Sequence, residues 1–318
     1  MEVKLFAAAC LYDPDKQETT LYGSYNIKFK SAQIENYKFK VTFCDDRPDF
    51  YIKIAGKFSH IETIVFSYDA PKNLKISNLA LTYPFENCDF ALNKERAAII
   101  STMCKNYEHR LDEWIQYNLK LGFSGIVIFN NDGNKSNPIN EPLEYCFNNE
   151  SMTEICAKYE GKVLLVDFPY SPLTGKHHNN IQSLTLSIGV NAFRNKCRNI
   201  ALIDADEFIY LPKMQKIEEF LQDKSTITMR SNILTNKNNN DILNNNILAL
   251  AKYVGEDKYT KTILHTARIT ENEFIITPHI HSSQTILPKE TIIHYHCWLN
   301  NRYRYNASMQ HIDLMPAH

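Results

Sequence analysis

Three acidic residues lie close together in the sequence Ile203-Asp-Ala-Asp-Glu-Phe208. Asp204 and Asp206, separated by one residue, can present carboxylate oxygens to one hard divalent ion. Mg²⁺ and Mn²⁺ prefer such oxygens and bridge readily to a diphosphate. Asp-x-Asp pairs are also common in solvated turns, so the pair gains weight from its position. It follows the apolar segment 199–204, and ligands of open α/β sheets bind beyond the carboxyl ends of strands.

Histidines near the C-terminal end are candidates for a further metal ligand. They are His279, His281, His294 and His296. In an extended chain, side chains two residues apart point to the same side, so each pair could face one site. Neutral imidazole is a suitable ligand for ions such as Mn²⁺. From the residues alone all four stay open, and each could equally be an ordinary polar strand residue.

The chain has only nine glycines, and none of them forms a GxGxxG or GxxxxGK[ST] arrangement. Backbone sites for phosphate need glycine, because the amides must approach the anion closely. The sequence therefore argues against a Rossmann dehydrogenase, a P-loop NTPase and a protein kinase. A metal held by Asp204 and Asp206 would provide another way to bind phosphate.

Charge and cysteine content narrow the class further. The 318 residues include 35 Lys+Arg and 36 Asp+Glu, a formal charge of −1, which argues against a dedicated nucleic-acid partner. None of the eight cysteines forms a CxxC pair, and most are expected to be reduced and buried. No apolar segment approaches the roughly 18 residues that span a bilayer. The expectation is a soluble, cytoplasmic chain, or a secretory-lumen one if an upstream anchor was removed.

Strands and helices alternate after about residue 93. Short apolar segments predict strands buried on both faces of a sheet. These segments are 97–104, 125–129, 162–168 and 199–204. Apolar residues at helical spacing predict helices at 111–121, 153–159 and 182–194. This alternation predicts an α/β fold with a mostly parallel sheet covered by helices.

Residues 1–92 have a different texture, with short alternating segments such as 22–29, 37–43 and 61–66 separated by turn signals. They predict a β-rich N-terminal domain or extension. Residues 93–318 then form the domain that carries the acidic pair.

Several elements of the second region resemble one family of enzymes. The elements are Glu113-Trp-Ile-x-Tyr117, Leu121-Gly-Phe123, the strand 126–129 with Asn130-Asn-Asp132, Gln182 before a helix, and Asp204-Ala-Asp-Glu-Phe208. In this order they are similar to GT-A glycosyltransferases, with glycosyltransferase family 92 as the nearest pattern. The resemblance covers roughly residues 95–300. Asn118 stands where that family usually has a histidine.

The resemblance implies a GT-A-type fold and a nucleotide-sugar-dependent transferase with a divalent cation, Mn²⁺ or Mg²⁺. It implies Asp204 and Asp206 as metal-binding acids, with Asp204 also near the ribose and diphosphate. It favours His281 as a further metal ligand, with His279 as the alternative, and His294 as a diphosphate contact. The remaining donor-binding candidates are Thr102, Cys104, Lys105, Asn130, Asp132 and Gln182.

The expected reaction moves a sugar from a nucleotide-sugar, with UDP-galactose as a first trial, to a glycan hydroxyl. If the reaction inverts the anomeric centre, a carboxylate would activate the acceptor. Glu256, Asp257 and Glu290 are weak candidates, and each could be a surface acid. The alternatives are a non-catalytic sugar-binding protein on a transferase fold and a Mg²⁺-dependent nucleotidyltransferase. Oligomeric state, sugar and stereochemistry stay open.

Overall fold

The described part of the chain forms two antiparallel four-stranded sheets and a larger mixed sheet with helices. The computed structural model describes residues 4–34, 37–68, 73–105, 108–131, 151–170, 173, 179–211, 216–235, 253–279, 285–288, 291–297 and 310–311. The chain is therefore of the mixed α/β class, as the sequence predicts.

The first two sheets contain the strands of the N-terminal region. These are β1 (Leu5–Asp13), β2 (Glu18–Tyr25), β3 (Ser31–Ile34), β4 (Tyr37–Phe39), β5 (Val41–Phe43), β6 (Asp49–Ala55), β7 (His60–Ser67) and β8 (Leu74–Ala80). One sheet has the order β1-β2-β6-β5 and the other β4-β3-β7-β8. Aromatic rings pack in the core of this region. The ring centroid of Phe29 lies 5.1 Å from that of Phe50 and 4.8 Å from that of Phe66. The predicted β-rich character is present, and the division at residue 92 stays a prediction.

Within the described residues, the larger sheet has ten strands, in the order β11-β10-β9-β12-β15-β14-β17-β13, with β16 beside β14 and β18 beside β15. They are β9 (Ala98–Cys104), β10 (Gly125–Asn130), β11 (Val163–Asp167), β12 (Asn199–Leu202), β13 (Glu207–Tyr210), β14 (Ile227–Thr235), β15 (Tyr253–His265), β16 (Thr285–Ile286), β17 (Ile293–Cys297) and β18 (Gln310–His311). The first four strands are parallel. Strand β15 is antiparallel to both β12 and β14. The prediction of a parallel sheet is therefore correct for β11, β10, β9 and β12, whereas the part of the sheet from β15 to β13 is mixed.

Helices are fewer than the predicted covering layer requires. They are α1 (Glu108–Leu121), α2 (Met152–Ala157), α3 (Asn179–Phe193) and α4 (Ile217–Leu221), with a 3₁₀ turn at Thr266–Arg268. The three predicted helices correspond to α1, α2 and α3, within a few residues at each end. Long strands and loops occupy much of the remaining chain, so helix coverage is low in the described part.

Alternate side chains of the central strands pack on opposite faces of the large sheet, as expected for period two. Ile100, Ile126 and Ile128 belong to one buried cluster, and Ile99 and Val127 belong to another. Both faces are therefore buried, which explains why these strands read as nearly continuous apolar segments.

The strand order reverses beside β9. The chain passes from β9 to β10 and β11 on one side of β9, and then returns to β12 on its other side. Helix connections leave a crevice beyond the carboxyl ends of the strands at such a reversal, which is where open α/β sheets bind ligands. The residues that follow β9 and β12 are therefore the first place to look for a site.

Buried contacts join the N-terminal sheets to the large-sheet region. The Ser183 hydroxyl of α3 donates to Asp49 of β6 at 2.7 Å, and the Tyr22 hydroxyl of β2 donates to Asn272 at 2.7 Å. Ala8, Ala9 and Tyr22 share a core cluster with α3. The two regions therefore share one part of their hydrophobic interior.

The cysteine side chains that the structure describes form no disulfide with one another. All of these six are buried except Cys88, which is half-buried. Burial raises the pKa of the Cys10 and Cys156 thiols to about 12. Thiols of this kind are inert packing groups, which agrees with the expectation from the sequence.

Candidate acidic metal site

An acidic cluster lies directly after β12, at the carboxyl end that borders the reversal of strand order. Asp204, Asp206 and Glu207 each offer a carboxylate oxygen, and these oxygens lie within 4.8 Å of one another. Asp204 and Asp206 are half-buried, whereas Glu207 is buried. Several hard oxygens at this spacing suit Mg²⁺ or Mn²⁺, so the residues fit a divalent ion.

Both oxygens of the Asp204 carboxylate have fixed partners. The Gln182 side-chain amide donates to Oδ1 at 2.7 Å, and the Lys261 ammonium donates to Oδ2 at 2.6 Å. Gln182 comes from the first turn of α3 and Lys261 from β15, so two distant elements hold one carboxylate. These two hydrogen bonds hold the Asp204 carboxylate in one orientation.

Glu207 closes the turn between β12 and β13. Its Oε2 accepts a hydrogen bond from the Asp204 backbone amide at 2.7 Å and lies 3.1 Å from the Lys261 ammonium. This bond orients the loop that carries Asp204 and Asp206. Glu207 is also the first residue of β13.

Lys261 is the residue at this site that the sequence reading missed. Its side chain is only 2% exposed. Burial alone would lower the pKa of Lys261, but the charges and hydrogen bonds of Asp204 and Glu207 outweigh burial and raise it. A signal was available, because Lys261 takes an inward position in β15, two residues before the buried Ile263. Its partner Asp204 is 57 residues away in the sequence, so no local sequence pattern indicates that the two side chains pair.

Side chains of helix α1 hold the backbone of β13, the strand that begins at Glu207 of the acidic cluster. The Trp114 indole N–H donates to the Glu207 carbonyl at 2.7 Å, and the Tyr117 hydroxyl donates to the Ile209 carbonyl at 2.7 Å. Both carbonyls belong to β13, the strand that follows the acids. The Glu113–Tyr117 motif and the Asp204–Phe208 motif, far apart in the sequence, are therefore in direct contact.

The ends of β9 and β10 meet at the same edge of the sheet. Asn130 is in register with Cys104, and Lys105 follows one residue later. Thr102 and Cys104 are buried, whereas Lys105 and Asn130 are half-buried. The structure therefore places these four residues at or near the carboxyl ends of β9 and β10, and Lys105 and Asn130 keep accessible surface.

Neighbouring Asn131, which was not singled out from the sequence, is buried and fixes the loop beyond β10. Its side-chain amide donates to the carbonyls of Phe168 and Tyr170 at 2.6 and 3.0 Å. The sequence signal for this role is an asparagine just past an apolar strand segment, because its side-chain amide can donate to two backbone carbonyls at once.

His279 is the candidate histidine whose side chain is described. Its Nδ1 lies 2.5 Å from the Thr260 carbonyl, and its ring centroid lies 5.6 Å from that of Tyr259. A carbonyl can only accept, so Nδ1 carries the proton and Nε2 is the nitrogen able to bind a metal. Among the described residues, His279 is not brought into the acidic cluster.

Other predicted residues fall where the structure says less. Asp132, His281 and Glu290 lie outside the described residues. Glu256 and Asp257 lie in β15 and His294 lies in β17, where the backbone is described but these side chains are not. Their roles as base, ligand or diphosphate contact stay predictions.

Comparisons with known proteins add little. The sequence matches no family model and no curated protein. Among solved structures, TarS 1–349 from S. aureus has a TM-score of 0.35 and 10% identity, and the match covers 63% of this chain and 60% of that chain. A likeness of this size carries no argument about activity, and the resemblance to family 92 is not confirmed by it. In the described region, no helix is long and apolar enough to cross a membrane.

Proposed function

We propose that this chain is a metal-dependent glycosyltransferase that moves a sugar from a nucleotide-sugar to a glycan hydroxyl. The observation that carries the proposal is the cluster of Asp204, Asp206 and Glu207 beside the reversal of strand order. That geometry supports a metal-and-diphosphate site. The resemblance of the surrounding motifs narrows the reaction to glycosyl transfer.

One divalent cation, Mn²⁺ or Mg²⁺, held by these carboxylates would neutralise the diphosphate and so improve it as a leaving group. The protein's own contribution is preorganisation. Gln182 and Lys261 fix Asp204, and Trp114 fixes the backbone of Glu207. Groups that are already oriented need no rearrangement when charge develops in the reaction.

The donor in this proposal is a UDP-sugar, with UDP-galactose as the first one to test. Lys105 directly follows β9, the neighbour of β12, and Asn130 ends β10 on the far side of β9 from the acids. Thr102, Cys104, Asp132 and Gln182 are the further proposed donor contacts. His281 or His279 as a metal ligand, His294 at the diphosphate, and Glu256, Asp257 or Glu290 as base belong to the same proposal.

A thermal-shift panel of nucleotide-sugars with and without Mn²⁺ tests the proposal, because a ligand that binds the native state raises its stability. We expect a shift that needs both a UDP-sugar and Mn²⁺ and that disappears in Asp206→Ala. Asp223→Ala is the matched control, since Asp223 is an exposed acid whose partner is Lys224. The absence of a shift with every nucleotide-sugar would reject the proposed function.

Turnover separates this proposal from its two alternatives. Release of UDP from a UDP-sugar in the presence of Mn²⁺ is the expected result. Binding of sugars without turnover under any condition would favour a non-catalytic sugar-binding protein. Release of pyrophosphate from a nucleoside triphosphate and a sugar phosphate would favour a nucleotidyltransferase.

A further inference from the structure

The acidic cluster contains a cation of its own. The Lys261 ammonium lies 2.6 Å from Asp204 Oδ2 and 3.1 Å from Glu207 Oε2. The side chains of Lys261 and Glu207 are each 2% exposed, whereas that of Asp204 is 35% exposed. The ammonium therefore lies on the protein side of the carboxylates, and the solvent side is left to Asp204 and Asp206.

This position decides what Lys261 can and cannot do. A side chain that is 2% exposed cannot reach a diphosphate that arrives from solvent. It can only act through the carboxylates that it contacts. Asp204, Asp206 and Glu207 carry three formal negative charges, and the Lys261 ammonium offsets one of them, so the loss of Lys261 makes the cluster one unit more negative.

We infer that Lys261 is a positioning residue that sets the charge of the acidic cluster and so makes the cluster select one divalent cation over a trivalent one. The inference rests on the proposed metal site and adds a determinant of ion choice to it. Without the ammonium the cluster would be one charge unit more negative, which favours the ion of higher charge.

Coulomb's law gives the expected size of the effect. Removing one positive charge a few ångströms from the ion strengthens binding in proportion to the charge of the ion, so a trivalent ion gains more than a divalent ion. The ratio of Tb³⁺ affinity to Mn²⁺ affinity should rise by roughly tenfold or more. A purely structural role would weaken the binding of both ions and leave this ratio unchanged.

The experiment measures Tb³⁺ and Mn²⁺ binding to the full chain, without nucleotide. Trp114 donates to the Glu207 carbonyl, so excitation of its indole should sensitise Tb³⁺ emission at this site, and Mn²⁺ can then be titrated in competition. Lys261→Met is compared with the wild type. Lys261→Arg, which keeps the charge, should retain the wild-type ratio.

A second pair guards against misfolding. Lys261→Met leaves Glu207 buried without its cation, and breaking a buried ion pair in this way is strongly destabilising. Glu207→Gln is therefore compared with the double variant Glu207→Gln, Lys261→Met, because these two proteins differ only at position 261 and bury no unpaired Glu207 carboxylate. The ratio should again rise by roughly tenfold when Lys261 is removed.

The outcomes distinguish a failure of the proposed metal site from a failure of the proposed role of Lys261. A wild-type protein that binds neither ion would reject the metal site, and both the inference and the proposed function with it. A wild-type protein that binds Mn²⁺, with an unchanged affinity ratio in the folded members of both pairs, would overturn the inference about Lys261 alone. A ratio that rises in Lys261→Arg as much as in Lys261→Met would overturn it as well.

Discussion

At the scale of single residues, the central feature of the site is the pair of side chains that donate hydrogen bonds to the Asp204 carboxylate. Its two oxygens accept hydrogen bonds from Gln182 and Lys261, which hold the carboxylate in one orientation. Hydrogen bonds to charged groups contribute about 1.5–3 kcal/mol each, more than those between neutral groups. Loss of one such donor should therefore weaken ion binding without dismantling the fold.

Gln182→Leu should lower Mn²⁺ affinity by about tenfold, because the substitution removes the donor to Asp204 Oδ1. Gln116→Leu is the matched control, since Gln116 also donates to an aspartate, Asp112, at 2.9 Å, but on the exposed surface of α1. Isothermal titration calorimetry of both variants with Mn²⁺ is the measurement. Equal affinities in the two variants would show that Gln182 does not orient the ligand set.

At the scale of elements, the acidic cluster depends on helix α1 and on the packing of α3. Nearly continuous apolar segments predict β9, β10 and β12, and apolar residues at helical spacing predict α1, because each of these is a local pattern in the sequence. The antiparallel insertion of β15 and the pairing of Lys261 with Asp204 are not local patterns. They depend on which strands become neighbours, and a sequence pattern of period two does not specify a partner or a direction.

Tyr117→Phe should weaken Mn²⁺ binding several-fold, because it removes the hydroxyl that holds the Ile209 carbonyl of β13. Tyr159→Phe provides the comparison, since the Tyr159 hydroxyl donates to Asp112 at 2.8 Å, away from the acids. Each variant should lose about 1 kcal/mol of unfolding free energy in urea. If Tyr159→Phe weakens Mn²⁺ binding as much as Tyr117→Phe does, the link from α1 to the cluster is wrong.

Gly189→Ala should destabilise the protein by about 1–3 kcal/mol, because overpacking strains a close interface. A Cβ at Gly189 of α3 would lie 2.3 Å from Ser101 Oγ in β9. Ser101→Ala removes that oxygen, which is buried without a hydrogen-bond partner among the described atoms. The double variant should recover most of the loss in a urea titration, and a purely additive result would argue against this contact.

At the scale of the whole molecule, the β1-β2-β6-β5 sheet makes buried polar contacts with helix α3 and with Asn272. Asp49 of β6 accepts from Ser183 of α3, the residue next to Gln182. Burial raises the pKa of Asp49 to about 7, against the opposing effects of the Ser183 and Ser24 hydroxyls and the Arg47 charge. This contact ties the N-terminal sheet to the same helix turn that orients Asp204.

Asp49 should make stability depend on pH between about 4 and 7. The native state holds the Asp49 proton more tightly than the unfolded state, so this stability is present below the unfolded pKa and is lost as pH rises through the folded pKa. The loss is at most about 4 kcal/mol. Asp49→Asn should flatten this part of the profile in urea titrations at several pH values.

Asp45→Asn, at an exposed carboxylate of the loop that precedes β6, is the control and should leave the profile as in the wild type. An Asp49→Asn protein that keeps the wild-type slope would mean that another group carries the dependence.

The position of β15 has a consequence for how the chain acquires its structure. β15 lies between β12 and β14 in the sheet but follows both of them in the sequence. During synthesis, the edge of β12 that faces β15 stays unpaired until the later strand emerges, and an open strand edge invites aggregation. Lys261 belongs to β15, so Asp204 and Glu207 gain the Lys261 charge only when β15 pairs with β12. Pairing of the open edge of β12 and completion of the acidic cluster are thus the same event.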